Sequence, residues 1–130
     1  MKLLIAVLLA VFSTSVLAEW TAVSFSDKQT AYADLSTIRK SGDKIKMWEL
    51  FDYKVVQITK VAGGTGYLSS VSQSEYDCKE GTDRLLSLTW YAKNMRQGDV
   101  VFTSGYPHEE SEPIPPGTTA ETLFRVACGK

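Results

Sequence analysis

The sequence has 130 residues, of which 44% are hydrophobic and 22% are charged, and this balance excludes an intrinsically disordered or collagen-like chain. Its 14 basic and 15 acidic side chains give a formal charge of −1, which argues against a dedicated nucleic-acid-binding protein, because such proteins carry a clear basic excess. The length is typical of a single domain that is large enough to bury one hydrophobic core.

The first 18 residues have the pattern of a cleavable signal peptide. Lys2 supplies a positive start, residues 3–12 are apolar and uncharged, and small residues precede the expected cleavage site at Glu19. The apolar run is too short for a transmembrane segment, and no later stretch is as hydrophobic. We therefore predict export of one mature domain, residues 19–130, to the periplasm, the outer-membrane surface or the medium. Because Glu19 and not a cysteine follows the cleavage site, we do not expect a lipoprotein.

Both cysteines, Cys78 and Cys128, lie in the predicted mature domain. Two cysteines in an oxidising compartment usually pair, so we predict a disulfide bond between them. A metal site and a reactive thiol are the alternatives. A metal site needs three or four ligands, however, and His108 is the only histidine of the chain.

Alternating apolar and polar residues predict a strand-rich domain. Strands are expected over residues 19–25, 31–33, 43–54, 67–78, 85–91 and 100–104. Between the second and the third of these, Asp34 is placed to cap a single helical turn over residues 35–39. Glycines over residues 63–66 and a turn over residues 94–99 separate the later strands.

The apolar period changes near the C-terminus. After the proline-rich residues 113–117, Thr118 and Glu121 form the pattern of a capping box, and a single apolar helical stripe follows. Cys128 lies on this stripe, so a disulfide bond to Cys78 would attach the helix to the sheet. We therefore predict an α+β domain, an antiparallel sheet of five to six strands packed by one C-terminal helix.

One helix of about ten residues cannot cover a whole sheet of this size. Trp48 and Leu50 alternate onto the face opposite the predicted core positions, so we expect them on an uncovered face where a ligand or a second copy of the chain could bind. Burial in the core is the alternative for Trp48.

A cluster of basic residues surrounds the predicted turn at residues 41–42. Its members are Arg39, Lys40, Lys44 and Lys46. Together they would form a positive patch that could bind an acidic protein surface or an anionic polymer such as a sulfated glycan. The alternative is that they are edge-strand lysines, which discourage aggregation between sheets.

No catalytic or cofactor motif stands out in the chain. His108 lies in a polar, proline-bounded loop without a nucleophile motif nearby. Tyr106 and His108 lack any diagnostic spacing for haem ligation, and Glu109, Glu110 and Glu112 lack the pattern of a calcium loop. We therefore expect no enzyme activity, no cofactor and no metal.

A series of short segments in a fixed order carries a resemblance to a known family. The segments are residues 32–34, 37–40, 47–54, 69–71, 76–79, 98–101 and 116–118, followed by Cys128. In this order the chain is similar to the surface-adhesin protein E family, small exported domains of Gram-negative bacteria. The resemblance implies an antiparallel sheet with a packed helix and one disulfide bond. It also implies a non-enzymatic protein that binds host matrix or serum proteins.

Two hypotheses for the function follow from these observations. The first is an exported binding domain that recognises a protein or an anionic polymer through the basic cluster and Trp48. The alternative is a periplasmic accessory or structural domain that is not exposed on the cell surface, either alone or as a homodimer.

Overall fold

The structure is a computed structural model that describes residues 19–105 and 110–130. The predicted signal peptide, Tyr106, His108 and Glu109 lie outside the described residues, so the expectations for them stay predictions. Within the described part of the chain, no helix is both long and apolar enough to cross a membrane.

The described residues form one antiparallel sheet and one α-helix. The strands are β1 (Thr21–Phe25), β2 (Gln29–Ser41), β3 (Lys44–Ile58), β4 (Gly66–Asp77), β5 (Thr82–Tyr91), β6 (Val100–Gly105) and β7 (Glu112–Pro113). A short 3-10 helix covers Lys60–Ala62, and the α-helix, α1, covers Thr119–Cys128. The strands lie side by side in the order of the sequence from β1 to β6, and β7 pairs with the first residues of β5. The predicted α+β fold is therefore confirmed.

The predicted helical turn over residues 35–39 is wrong, because β2 continues through this segment. The pairing of β2 with β3 shifts its register between Asp34 and Arg39. At this irregularity Asp34 Oδ1 accepts hydrogen bonds from the backbone N of Ser36, at 3.1 Å, and from its Oγ, at 2.5 Å. An aspartate that bonds two residues ahead occurs both at helix caps and in strand irregularities, so the local signal could not separate the two.

The helix begins and ends as its sequence predicts. The side chain of Thr118 caps the N-terminus, where its Oγ1 accepts a hydrogen bond from the backbone N of Glu121 at 3.3 Å. Gly129 ends the helix in a left-handed conformation with φ of 68°, which glycine adopts without steric cost. The side chains of Leu123 and Ala127 are buried against the sheet.

The hydrophobic core lies between α1 and one face of the sheet, which we call the helix face. Its buried members are Ala33, Ile45, Met47, Tyr76, Leu123 and Ala127. The disulfide bond joins Cys78, directly after β4, to Cys128, the last residue of α1, across a sequence separation of 50 residues. The predicted pairing is confirmed, and it fixes the end of the helix to the end of β4.

The opposite side of the sheet, which we call the distal face, is not an open apolar surface throughout. Leu50 lies on it between its paired neighbours Tyr32 and Val71, and the side chain of Leu50 is fully buried. The expectation that Leu50 is available to a second copy of the chain is therefore wrong. Trp48 lies on the same face and is half-buried.

Candidate functional site

The hairpin between β2 and β3 divides the basic cluster between the two faces of the sheet. Arg39 pairs with Lys46, whereas Lys40 pairs with Ile45, a core residue of the helix face. Directly paired residues point to the same side of a sheet, and side chains alternate along a strand. Arg39, Lys44 and Lys46 therefore lie on the distal face, and Lys40 points to the other side. All four basic residues are exposed.

The exposed basic residues of the distal face lie next to Trp48. Lys44, Lys46 and Trp48 occupy alternate positions of β3, so their side chains follow one another on one side of the strand. We call Arg39, Lys44 and Lys46 the basic row. The structure thus brings four of the five predicted binding residues onto one face and separates Lys40 from them.

A cavity of about 290 Å³ opens on the distal face next to the basic row, and we call it the distal cavity. Three aromatic side chains, those of Trp20, Trp48 and Tyr91, contribute to its lining. Two charged residues also line it, Asp34 and Arg96. Pockets that bind ligands combine apolar walls with a few polar groups in this way.

The loop between β5 and β6 holds Arg96 at the distal cavity in an unusual backbone conformation. Met95 and Arg96 have φ values of 53° and 62°, which residues other than glycine rarely adopt. The backbone N of Met95 donates to Asp52 Oδ1 at 2.8 Å, and that of Arg96 donates to Ser69 Oγ at 3.0 Å. Such conformations persist where the surrounding structure enforces them, and they cluster at functional sites.

The side chains around Arg96 are also ordered by hydrogen bonds. Arg96 Nε donates to the hydroxyl oxygen of Tyr91 at 3.3 Å. Ser69, which is fully buried, donates from its Oγ to the backbone carbonyl of Lys93 at 2.6 Å. Arg96 is therefore attached to the sheet through its own side chain and through its backbone, while its side chain remains exposed.

A second polar site lies on the helix face around Glu49, which is only 2% exposed. Tyr76 donates a hydrogen bond from its hydroxyl to Glu49 Oε1, and Ser74 Oγ donates to Glu49 Oε2 at 3.3 Å. Burial raises the pKa of the Glu49 carboxyl from 4.5 to about 7, and the charge of Asp83 adds to this effect. The same burial raises the pKa of the Tyr76 hydroxyl.

Further acidic side chains surround Glu49. A cavity of about 350 Å³ is lined by Glu49 together with Asp83, Glu110 and Glu112. Burial raises the pKa of Asp83, and the neighbouring charge of Glu112 raises it further. In the described residues, no group of three histidine, cysteine or acidic side chains is arranged to hold a metal ion.

Nearly all of residues 19–130, the predicted mature domain, resemble one known family. The family model of surface-adhesin protein E matches residues 20–129. The chain belongs to the surface-adhesin protein E family. Among curated protein sequences, none matches this family member significantly.

Solved structures of Haemophilus influenzae protein E have the same fold as this family member. One, crystal form II, has a TM-score of 0.62 at 12% identity and covers 89% of this chain and 91% of its own. A second has a TM-score of 0.60 at 12% identity, with 89% and 88% covered. Protein E from a non-typeable strain has a TM-score of 0.56 at 12% identity, with 89% and 79% covered. At this identity the likeness shows the fold alone.

Three residues of the distal cavity in this surface-adhesin E domain have no clear signal in the sequence. Trp20 precedes β1, Tyr91 ends β5, and Arg96 lies in the loop that follows β5. Only the pairing of strands brings them to Trp48, and two successive left-handed residues without glycine carry no compositional mark. The alternation of β3 does place Trp48, Lys44 and Lys46 on one side of the strand, so this part of the site can be predicted from the sequence.

Proposed function

We propose that this domain is an exported, non-enzymatic binding module that recognises a partner protein through the distal face of its sheet. Membership of a surface-adhesin family supports protein partners over a chemical reaction. The observation that carries the proposal is that Arg39, Lys44 and Lys46 lie on the same face as Trp48, next to a cavity with aromatic walls.

The chemistry of the distal face is that of a protein-binding surface. Tryptophan, tyrosine and arginine are the residues that contribute most to binding energy at interfaces, and all three types line the distal cavity. Without the predicted signal peptide the chain has 13 basic and 15 acidic residues. Asp77 and Glu75 pair with Lys44 and Lys46 on the same face, but Arg84 forms a salt bridge with Glu75 at 3.0 Å. Together with Arg84, the basic row therefore still outnumbers these two carboxylates and forms a local positive region. Such a region steers an acidic partner towards this face.

Reversing the charges of the basic row is expected to weaken binding without loss of stability. In the triple variant R39E/K44E/K46E, capture by a panel of immobilised matrix and serum proteins should fall by roughly tenfold at low salt, because surface charges govern the rate of association. The melting temperature should change little, since all three side chains are exposed. Surface plasmon resonance and thermal denaturation measure the two effects.

A matched variant separates the basic row from charge in general. K28E/K40E/K60E introduces the same charge change at three other exposed lysines. Lys40 points to the helix face, and Lys28 and Lys60 lie outside the sheet. This variant should bind like the wild type. Equal losses in the two triple variants would show that only net charge matters and would contradict the proposal.

We further propose that the domain acts on the cell surface, as its family name implies. Added protease is then expected to digest it on intact cells, while a periplasmic control protein stays intact. If the domain is protected until the outer membrane is broken, it is a periplasmic accessory domain, and its partners should be sought there.

A further inference from the structure

We propose that the distal cavity is an anchor site for an acidic peptide segment of the partner. An apolar side chain of that segment enters between Trp20, Trp48 and Tyr91, and a neighbouring carboxylate binds the guanidinium of Arg96. This inference rests on the proposed function, because it names the part of a partner protein that the distal face recognises.

The distal cavity is large enough to receive an apolar side chain of a partner. Its volume of about 290 Å³ is just below the range of roughly 300–1,000 Å³ that is usual for pockets of small-molecule ligands. It is far larger than the space of one water molecule, about 30 Å³ in the liquid. A leucine or phenylalanine side chain of a partner would therefore fit against the aromatic walls.

The positions of the two charged residues set the orientation of the ligand. Asp34 is 3% exposed, and its Oδ1 already accepts two hydrogen bonds from Ser36. A second carboxylate would be repelled by this buried negative group, so the inner part of the cavity favours an apolar group. Arg96 is exposed, where a planar guanidinium can hold a carboxylate through two parallel hydrogen bonds.

The basic row extends the positive charge beyond the distal cavity. Lys46 and Asp52 are six residues apart on β3, a distance of about 20 Å along a strand. Trp48 lies between them, and Asp52 binds the loop that carries Arg96. Positive groups, those of Lys46 and Arg96, therefore lie on both sides of Trp48 along β3, which suits an extended segment with acidic residues on both sides of an apolar one.

A sulfated glycan is a weaker fit to these observations. Such a polymer presents many negative groups and little apolar surface, so it would use the basic row but not the aromatic walls. The backbone conformation of Met95 and Arg96 likewise places a single cation, the guanidinium of Arg96, beside aromatic rings. We therefore assign the distal cavity to peptide and treat glycan binding as an outcome of the experiment.

The probe is a fluorescein-labelled peptide with a central leucine flanked by glutamates, compared with a peptide in which glutamines replace the glutamates. Fluorescence anisotropy with the mature domain should show tighter binding of the glutamate peptide. R96N should weaken binding of the glutamate peptide by about tenfold, the loss of one charge-assisted contact. Asparagine tolerates positive φ values, so this variant retains the loop conformation.

Two further variants make the assignment specific to the distal cavity. Arg39 lies on the same face but does not line the distal cavity. R39N, which removes its positive charge, should therefore weaken binding by less than about threefold. W20A removes an aromatic wall ahead of β1 and should weaken binding of both peptides. Circular dichroism would confirm that each variant is folded.

Several results would overturn the inference. One is that the glutamate peptide does not bind, or binds no better than the glutamine peptide. Another is that R96N and R39N have equal effects.

If a heparin oligosaccharide binds in place of the peptide and loses affinity in R96N and W20A, the site is a glycan site. If R39E/K44E/K46E captures matrix and serum proteins normally, the proposed function fails. If that triple variant loses capture while R96N and W20A bind the peptide normally, only the distal cavity assignment fails.

Discussion

Replacing Cys78 and Cys128 by alanine is expected to lower the free energy of unfolding by about 4 kcal/mol. The disulfide bond closes a loop across 50 residues, so it removes many conformations from the unfolded chain. It also attaches α1 to the sheet at a helix end, and this helix supplies the buried side chains of Leu123 and Ala127. Urea denaturation of the oxidised wild type and of the double variant measures the difference.

The reduced wild type is the matched control for the disulfide prediction. Under dithiothreitol its free energy of unfolding should fall to nearly that of the double variant, whereas the reductant should not change the variant. A loss below about 1 kcal/mol would mean that the helix is held by packing alone. Domains of this size are only marginally stable. A loss of about 4 kcal/mol in the free energy of unfolding should therefore strongly raise the unfolded fraction at 37 °C.

Replacing Glu49 by glutamine is expected to stabilise the protein more at pH 8.5 than at pH 4.5, with a difference of about 3 kcal/mol. The folded protein has a pKa of about 7 at this carboxyl, against 4.5 without burial. Between these values the folded state keeps a proton that the unfolded state releases. The stability that Glu49 contributes is therefore complete below pH 4.5 and is lost as the pH rises to 7. The magnitude follows from about 1.4 kcal/mol for each pKa unit.

Urea denaturation of the wild type and E49Q at both pH values tests this prediction. Glutamine stays neutral, and its side-chain carbonyl can still accept a hydrogen bond from Tyr76 or Ser74. E49Q should therefore not lose stability as the pH rises to 7 in the way that the wild type does. Asp83 has a pKa raised in the same direction, so some pH dependence should remain in E49Q. E80Q, the same substitution at an exposed position, controls for the chemical change. Parallel pH profiles of the wild type and E49Q would contradict the prediction.

Much of the fold can be predicted from local patterns, because the later strands alternate strongly. The strand expected over residues 67–78 is β4 within one residue, and that expected over residues 100–104 is β6 within one residue. The capped helix is also where its sequence places it. These elements depend on periodicity and capping, which act over a few residues and are therefore visible in a single sequence.

The errors concern features that depend on distant neighbours. Asp34 has the side chain of a helix cap, but pairing of β2 with β3 keeps the segment extended. Alternation along β3 predicts the correct face for Leu50, but not that its side chain is fully buried between Tyr32 and Val71 of the adjacent strands. Likewise, alternation along β2 separates Lys40 from Arg39, but only the register of the hairpin decides which of the two shares a face with Lys44 and Lys46. Local patterns give the side of a strand but not what covers it.

The order of the strands bears on how the chain can fold during its synthesis. From β1 to β6 each strand pairs with the one made just before it, so every hairpin can form as soon as its second strand has been made. The core, in contrast, needs Leu123 and Ala127 from the last twelve residues of the chain. The sheet can thus assemble stepwise, but its helix face stays uncovered until α1 has been made. Because Cys128 is the last residue of α1, the disulfide bond to Cys78 can form only after every described strand and the helix have been made, so it cannot fix the sheet before the helix is present.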